Sequence, residues 1–266
     1  MDDEEFLAFI GRHTEGSEGF VSASPREVAE RPNVEDVLAL ATSLVGPLRG
    51  ASRLVREPMR ESYSGELDVE ETIDNIMGKR FPETEDWIVQ RREERRHQVV
   101  LMLDASLSMA GENIVVAAVA VAVLALKVRP EDLAIVVFED EARVVTRFDV
   151  ADSVEEVIRS MLDEPGHGLT NIEAALELGA DELERGHNPR RSGLLITDCY
   201  PTKGKAEPTH AARRFPSLHV LLAEYEYMDE DLCRLLADCG EGEVFLVHDM
   251  QDLPQRMLDV ANRVLR

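Results

Sequence analysis

The chain has 266 residues, and 44% of them are hydrophobic, so it can bury a full core as one large domain or as a domain with an appendage. Its 53 acidic and 29 basic side chains give a formal net charge of −24 at pH 7. This balance argues against nucleic acid and anionic membranes as partners, because phosphates require a basic footprint. It favours a soluble protein whose partners are basic or are bridged by a metal ion.

The cysteines, Cys199, Cys233 and Cys239, form an odd and sparse set without CxxC spacing. This pattern predicts neither a disulfide framework nor a zinc site, and we expect reduced thiols in a cytoplasmic protein. The N-terminal residues lack the basic and apolar regions of a secretory signal. The longest apolar run, 114–126, is too short to span a bilayer and predicts a helix buried against a sheet.

Residues 1–95 predict a small helical region that precedes the main domain. Apolar positions recur at helical spacing over 34–45, with a helix-start signal before them and a Gly-Pro stop after them. Residues 50–60 predict a second, weaker helix and residues 65–77 a third, and the region contains no convincing strand. Residues 11–27 are rich in Gly, Ser, Glu and His, and we expect them to be loosely ordered.

From residue 96 onward strands alternate with helices, which predicts a single domain over 96–266. The apolar runs at 99–103 and 193–197 are continuous, which is typical of central strands covered on both faces. A polar turn beginning at Glu139 predicts a hairpin and hence one antiparallel edge strand. Together these patterns predict an α/β fold with a doubly wound, mostly parallel sheet. The predicted strands are 98–104, 132–139, 142–147, 192–197, 217–223 and 243–247, and the predicted helices are about 111–129, 152–163, 171–185, 228–238 and 251–265.

Oxygen-bearing side chains stand where the two predicted central strands end. Asp104 ends the first strand and is followed in the loop by Ser106 and Ser108, and Asp198 ends the other strand. Thr170 comes just before a predicted helix. Because ligands collect at the carboxyl ends of the strands in an open α/β sheet, these five residues are candidates for one site. Their oxygens suit Mg²⁺ or Mn²⁺, with one position left for an incoming Asp or Glu side chain of a partner protein.

Each of these residues also has an ordinary structural explanation. Asp104 or either serine could cap the helix that follows them. Thr170 could cap the next helix, and Asp198 could begin a turn with Pro201. What favours a metal site is that three short motifs occur in order, each at a strand end or loop that the fold would bring together.

The same residues resemble the metal-ion-dependent adhesion site (MIDAS) of von Willebrand factor A (VWA) domains, and residues 97–266 look like such a domain over their whole length. The resemblance matches the DxSxS element, the middle threonine and the final aspartate to Asp104, Ser106, Ser108, Thr170 and Asp198.

Two loop residues depart from the VWA pattern. Asp198-Cys-Tyr-Pro-Thr202 resembles the DGxPT ending of bacterial cytoplasmic members, with Cys199 in place of the glycine. Many members also have glycine where Leu107 stands. Both departures concern loop conformation and leave the predicted ligands in place.

The N-terminal region adds to the resemblance. A helical segment with Gly65-Glu-Leu-Asp68 and Thr72, followed by a basic stretch, is similar to VWA proteins that partner MoxR-type AAA+ ATPases. The resemblance implies a non-catalytic adaptor or co-chaperone in protein remodelling or in metal or cofactor insertion. Chelatase subunits are arranged in the same way. The sequence has no GxxxxGK[ST] motif, so any ATPase activity would belong to the partner.

Two other functions stay open at the level of the sequence. A metal-assisted phosphohydrolase would use the same ion for catalysis, but it needs a general base or nucleophile near the ion, and none is evident. A metal-free interaction scaffold would keep the fold and bind no ion, and Mg²⁺ or Mn²⁺ would then fail to stabilise it.

Overall fold

The computed structural model describes residues 33–45, 52–60, 65–94, 96–106, 109, 112–150, 154–163, 168–223, 228–247 and 253–265. The chain divides into two compact units. The large unit consists of Met1–Gly46 and Arg96–Arg266, and the small unit of Pro47–Arg95. Residues 11–27, predicted to be loosely ordered, lie outside the described residues.

The strands are, in chain order, β1 (Ser52–Pro58), β2 (Glu66–Leu67), β3 (Ile88–Glu94), β4 (Gln98–Asp104), β5 (Leu133–Phe138), β6 (Ala142–Thr146), β7 (Arg191–Thr197), β8 (Leu218–Ala223) and β9 (Val244–Val247). The α-helices are α1 (Val34–Val45), α2 (Val69–Ile76), α3 (Glu112–Lys127), α4 (Val154–Asp163), α5 (Ile172–Arg185), α6 (Thr209–Ala212), α7 (Glu230–Cys239) and α8 (Leu253–Val264). Within the described ranges, none of these helices combines the length and the apolarity that crossing a membrane requires.

A six-stranded sheet organises the large unit, with the strand order β6-β5-β4-β7-β8-β9. Five strands are parallel, and β6 pairs antiparallel with β5 at one edge. The predicted α/β fold with a mostly parallel sheet and one antiparallel edge strand is confirmed. The short helix α6 is an addition that the sequence pattern did not predict.

Helices cover both faces of this sheet, which explains why its central strands are apolar along their whole length. In β4, Val99, Leu101 and Leu103 pack in one core cluster with α3. The intervening Val100 and Met102 pack in a second cluster with α5. All five side chains are buried, so β4 is fixed between two layers and its carboxyl end is held in place.

Helix α1 belongs to the large unit, as the chain leaves that unit only after Gly46 and returns to it at Arg96. Its Val37, Leu40 and Ala41 are buried in the same core cluster as α3. Because α3 is apolar around most of its circumference, it needs cover beyond the sheet, and α1 contributes to that cover. The region predicted over 1–95 is therefore divided between the two units.

The small unit contains a three-stranded antiparallel sheet in the order β1-β3-β2. Helix α2 is fastened to β3 by Thr72, whose hydroxyl donates to Ile88 O at 3.1 Å and accepts from Ile88 N at 2.9 Å. Asp68 caps α2 by accepting from Glu71 N, and it also accepts from Arg56 Nε of β1 at 2.7 Å.

The sequence-based prediction for this small unit was partly wrong. The predicted helix over 50–60 is the strand β1, and the expectation that residues 1–95 contain no strand fails. Strands β1 and β3 are linked by an ion pair from Arg91 Nε to Glu57 Oε1 at 2.8 Å, between residues 34 positions apart. Charged residues that pair across the two strands interrupt the alternation of apolar and polar residues that marks a half-buried strand. This pattern is therefore weak in β1 and β3.

Candidate metal centre

The two predicted carboxylate ligands lie at the carboxyl ends of β4 and β7, which are neighbours at the centre of the sheet. Asp104 is the last residue of β4, and the register between the two strands sets it beside Thr197, the last residue of β7. Asp198 follows Thr197 directly. All three side chains are buried, so the strand ends present their polar groups inside the protein.

The predicted hydroxyl ligands lie in the adjoining loops. Ser106 follows β4 and is buried, and Thr170 lies two residues before α5 and is also buried. Ser108, the fifth predicted ligand, lies outside the described residues, as does Leu107. The structure thus places four of the five predicted side chains at the same end of the sheet.

Asp104 is fixed by hydrogen bonds to both of its carboxylate oxygens. Ser106 N donates to Oδ1 at 2.9 Å, and Thr197 Oγ1 donates to Oδ2 at 2.6 Å. Burial raises the pKa of Asp104 to about 6, and these hydrogen bonds oppose that rise only in part. The negative charge of Asp198 raises the same pKa further.

Within the described part of the chain, no Lys or Arg side chain forms an ion pair with Asp104 or Asp198. Two buried carboxylates without a compensating cation are unfavourable unless a positive ion or a proton accompanies them. The donor set consists of carboxylate and hydroxyl oxygens, which are the ligands that Mg²⁺ and Mn²⁺ prefer. The residues present therefore fit a hard divalent cation.

Thr197 is a residue of this site that reasoning from the sequence missed. Its hydroxyl donates to Asp104 and accepts from Cys199 N at 3.0 Å, so it connects the two strand ends. A polar residue that ends an apolar strand was the available signal, but its meaning depends on the register between β4 and β7.

The loop that carries Thr170 is tied to the segment after Asp198. Thr170 N donates to Thr202 Oγ1 at 2.8 Å, and Thr170 O accepts from Thr202 N at 3.0 Å and from Lys203 N at 3.1 Å. Thr202 of the DGxPT-like segment and the Lys203 amide therefore position Thr170, and hydrogen bonds join the two loops.

The capping alternatives do not hold for two of the predicted ligands. Helix α5 is capped by Asn171, whose side chain accepts from Ala174 N at 3.1 Å, and Thr170 lies outside the cap. Asp104 accepts from Ser106 N in its own loop, eight residues before α3 begins at Glu112. Helix capping therefore leaves the placement of Asp104 and Thr170 unexplained.

The expectation of reduced thiols is wrong for two of the three cysteines. Cys199 forms a disulfide with Cys233 in α7, with Cα atoms 6.1 Å apart, and Cys239 is a free thiol. The partners are 34 positions apart without a spacing motif, so only the packing of α7 against the sheet reveals the pair. Cys199 is buried and has a positive φ of 58°.

Another group of possible ligands, Glu173, Glu177 and His210, lies on α5 and α6. Lys205 Nζ already lies 2.6 Å from Glu173 Oε1, and the side chains of Glu177 and His210 are about half exposed. This group is satisfied as a surface ion-pair network, in contrast to the buried carboxylates of the strand ends.

The six-stranded sheet and its helical layers are those of a VWA domain. The sequence matches the family of VWA domain-containing CoxE-like proteins (VWA_CoxE) over residues 40–220, which is more than half of the chain. The chain belongs to this family. It therefore contains a VWA domain, which is a module for metal-dependent protein interaction.

Solved structures of low sequence identity share the fold. A von Willebrand factor type A protein from Catenulispora acidiphila is 13% identical, with a TM-score of 0.51 over 81% of this chain and 50% of that one. Proximal thread matrix protein 1 from the mussel byssus, in a structure with a zinc-occupied MIDAS motif, is 16% identical, with a TM-score of 0.51 over 62% of this chain and 47% of that one. This chain thus spans about half of each. No curated protein matches the sequence.

Proposed function

We propose that this protein binds a partner protein through a divalent cation, Mg²⁺ or Mn²⁺, held by Asp104, Ser106, Ser108, Thr170 and Asp198. When bound, the ion would supply a positive centre that accepts a carboxylate from an Asp or Glu side chain of the partner. The observation that carries the proposal is the pair of buried carboxylates at adjacent strand ends, without a cationic partner among the described residues. The zinc found in the MIDAS motif of the mussel protein supports it.

The chain's own residues prepare the site for this role. Thr197 and the Ser106 amide hold Asp104 in one orientation, and the Tyr200 amide donates to Asp198 Oδ1 at 3.1 Å. Because these groups are fixed before any ion arrives, little reorganisation opposes binding. A net charge of −24 would repel an acidic partner, so recognition of an Asp or Glu requires a cation.

The partner that we propose is a MoxR-type AAA+ ATPase, with this chain as its adaptor or co-chaperone in protein remodelling or in metal or cofactor insertion. The match to a VWA family and the absence of a phosphate-binding loop motif from the sequence support a division of labour in which the partner hydrolyses ATP. A chelatase-subunit-like assembly factor is a variant of the same proposal. An ATP-dependent partner requires ATP, so the proposal places the protein in the cytoplasm.

The test compares the full chain with its Asp198→Asn variant. The variant removes one buried negative charge, and its side-chain oxygen can still accept from the Tyr200 amide. We expect the wild type to bind Mn²⁺ and to retain a AAA+ ATPase from a lysate of its native source in Mg²⁺, and the variant to do neither. Glu177→Gln, in the exposed group on α5, is the matched control and should behave as wild type.

Retention of the same proteins by wild type in Mg²⁺, by wild type in EDTA and by Asp198→Asn would contradict the proposal. Circular dichroism spectra and thermal unfolding of all variants show whether a loss of binding reflects the site or the fold. Mn²⁺ binding without a retained ATPase would support the metal site and contradict the proposed partner.

A further inference from the structure

A disulfide fastens the loop that carries Asp198 to a helix that holds none of the proposed ligands. Cys199, the residue after Asp198, is bonded to Cys233 in α7. Both side chains are completely buried, in the core cluster on the α5 side of the sheet. The bond therefore anchors the loop at Cys199, one residue after the proposed ligand Asp198.

Cys199 has a backbone conformation that glycine adopts more easily. Its φ of 58° lies in the left-handed region, where a side chain shifts the local equilibrium by roughly five- to thirtyfold against the residue. Glycine lacks that penalty. A cysteine at this position consequently tends to leave the left-handed region unless another interaction holds it there.

Hydrogen bonds connect this conformation to both carboxylates. Cys199 N donates to Thr197 Oγ1, which in turn donates to Asp104 Oδ2. On the other side of Cys199, the Tyr200 amide donates to Asp198 Oδ1. A rotation of the backbone at Cys199 would therefore disturb the amides on both sides, and with them the orientation of Asp104 and Asp198.

We infer that the Cys199–Cys233 disulfide is a redox switch for metal binding. In the oxidised protein the bond holds Cys199 in the left-handed conformation and Asp198 in its place. In the reduced protein Cys199 is free to relax, Asp198 moves with it, and the affinity for the ion falls. This inference rests on the proposed function, because the ion concerned is the one proposed for Asp104 and Asp198.

The reductant would be a dithiol, and the reaction is a pair of thiol–disulfide exchanges. One thiolate of the reductant attacks a sulfur of the disulfide and breaks the S–S bond, and the released cysteine takes up a proton. The second thiol of the reductant then displaces the other cysteine, which is also protonated, and the reductant leaves as a disulfide. Two electrons and two protons pass to the protein. Because both sulfurs are buried, the exchange requires local opening and should be slow.

The experiment measures the Mn²⁺ affinity of the full chain after complete oxidation and after complete reduction by dithiothreitol, with the reductant removed anaerobically before titration. We expect the reduced protein to bind Mn²⁺ about tenfold more weakly. Cys233→Ser should bind like the reduced protein in both treatments, because it lacks the bond but keeps a side chain at position 199. Cys199→Gly should bind like the oxidised protein in both, because glycine adopts the positive φ. Cys239→Ser is the matched control and should respond as wild type.

A second readout follows from the reciprocity of linked equilibria. If oxidation tightens Mn²⁺ binding tenfold, saturating Mn²⁺ must shift the dithiol–disulfide equilibrium by the same factor, or by about 30 mV for two electrons. This shift is measured by titration with mixtures of reduced and oxidised dithiothreitol, with and without Mn²⁺.

Equal Mn²⁺ affinity in the two states, or tight binding by Cys233→Ser, would overturn the switch and leave the proposed function intact. Peptide mass spectra of the oxidised protein that show no bond between Cys199 and Cys233 would overturn it as well. The absence of Mn²⁺ binding in either state would overturn both the switch and the proposed function.

Discussion

Thr197 shows how one hydroxyl can determine the geometry of a buried acidic site. Its Oγ1 lies 2.6 Å from Asp104 Oδ2 and 3.0 Å from Cys199 N. Because the amide can only donate, the hydroxyl accepts from Cys199 and is free to use its one proton on Asp104. We therefore regard Thr197 as a positioning residue that orients Asp104, a proposed ligand, and is not itself a proposed ligand.

Thr197→Val keeps the shape of the side chain but removes the hydroxyl. We expect the affinity for Mn²⁺ to fall by about 10–100-fold, as is usual when a group that orients a metal ligand is lost. Calorimetric titration measures the affinity, and Thr197→Ser, which restores the hydroxyl, is the control. A Thr197→Val variant that binds Mn²⁺ as tightly as Thr197→Ser would show that Asp104 needs no such support.

Two histidines lie at the opposite end of the sheet from the candidate metal centre, near the amino ends of β4 and β8. His219 Nδ1 accepts from Glu243 N at 3.1 Å, so this nitrogen carries no proton in the folded protein. Burial lowers the pKa of His97 and of His219 from 6.5 to about 4. Both residues are therefore neutral in the folded state at neutral pH.

These histidines should make the fold sensitive to mild acid. The unfolded chain protonates them below about pH 6.5, whereas the folded protein does so only near pH 4. The free energy of unfolding should consequently decrease as the pH falls from about 6.5 to about 4. Urea denaturation at pH 7.5, 6.0 and 5.0 measures it, and His219→Gln should lose less stability over this range. Equal losses in the variant and the wild type would exclude His219 as a cause.

Helix α1 is separated in the chain from the other described elements of the unit to which it belongs. It precedes the small unit in sequence, yet its buried side chains belong to the core of the large unit. Helix α3 is rich in Ala and Val and almost entirely buried, so α1 is one of the elements that keep it from water.

Leu40→Ala should therefore destabilise the large unit although residue 40 lies outside 96–266. Leu40 is 1% exposed, and truncating a fully buried leucine lowers the free energy of unfolding by about 2–5 kcal/mol. Ala39→Ser, at an exposed position of the same helix, should change it by less than about 0.5 kcal/mol. Urea denaturation at pH 7.5, where His97 and His219 are neutral in both the folded and the unfolded chain, compares the two variants. Equal stability would mean that α1 contributes little to the core.

The elements that could be predicted from the sequence are those whose pattern of apolar residues shows which faces are buried. The apolar runs of β4 and β7 imply cover on both faces, and Asp104 and Asp198 could be placed at one end of the sheet because Asp104 ends the first run and Asp198 follows the second. Strand β3 could not be identified, because its pairing with β1 and its ion pair to Glu57 depend on a partner distant in the chain. Thr197 and the Cys199–Cys233 pair were missed for a related reason, since strand register and helix packing bring them to their partners.

For the molecule as a whole, the excess of acidic side chains lowers the free energy of unfolding. Folding brings the like charges behind the formal charge of −24 closer together, so their mutual repulsion is stronger in the folded state. Surface ion pairs, such as Arg214 with Asp181 and Glu184, offset only part of it, because exposed pairs contribute little each. Salt screens the repulsion over a distance that shrinks from about 10 Å at 0.1 M to about 3 Å at 1 M.

We therefore expect the thermal midpoint to rise with ionic strength. Differential scanning calorimetry between about 0.05 and about 1 M NaCl measures the effect, with EDTA present to keep divalent ions from the candidate metal site. The same series in KCl separates screening from binding of a particular ion, because screening depends only on ionic strength. A midpoint that is constant or falls with added salt would show that the attractive pairs outweigh the repulsion.

The division of the large unit between two stretches of the chain has a consequence for its synthesis. Helix α1 leaves the ribosome before the whole small unit and before β4 and α3. Its buried side chains share a core cluster with residues of β4 and α3. At about 5–20 residues per second, α3 follows several seconds later. During that interval Val37, Leu40 and Ala41 have no large-unit core to enter. The first of the described helices to be made thus reaches its native contacts only after α3 has been made, and in that window the nascent chain offers an apolar surface to holding chaperones.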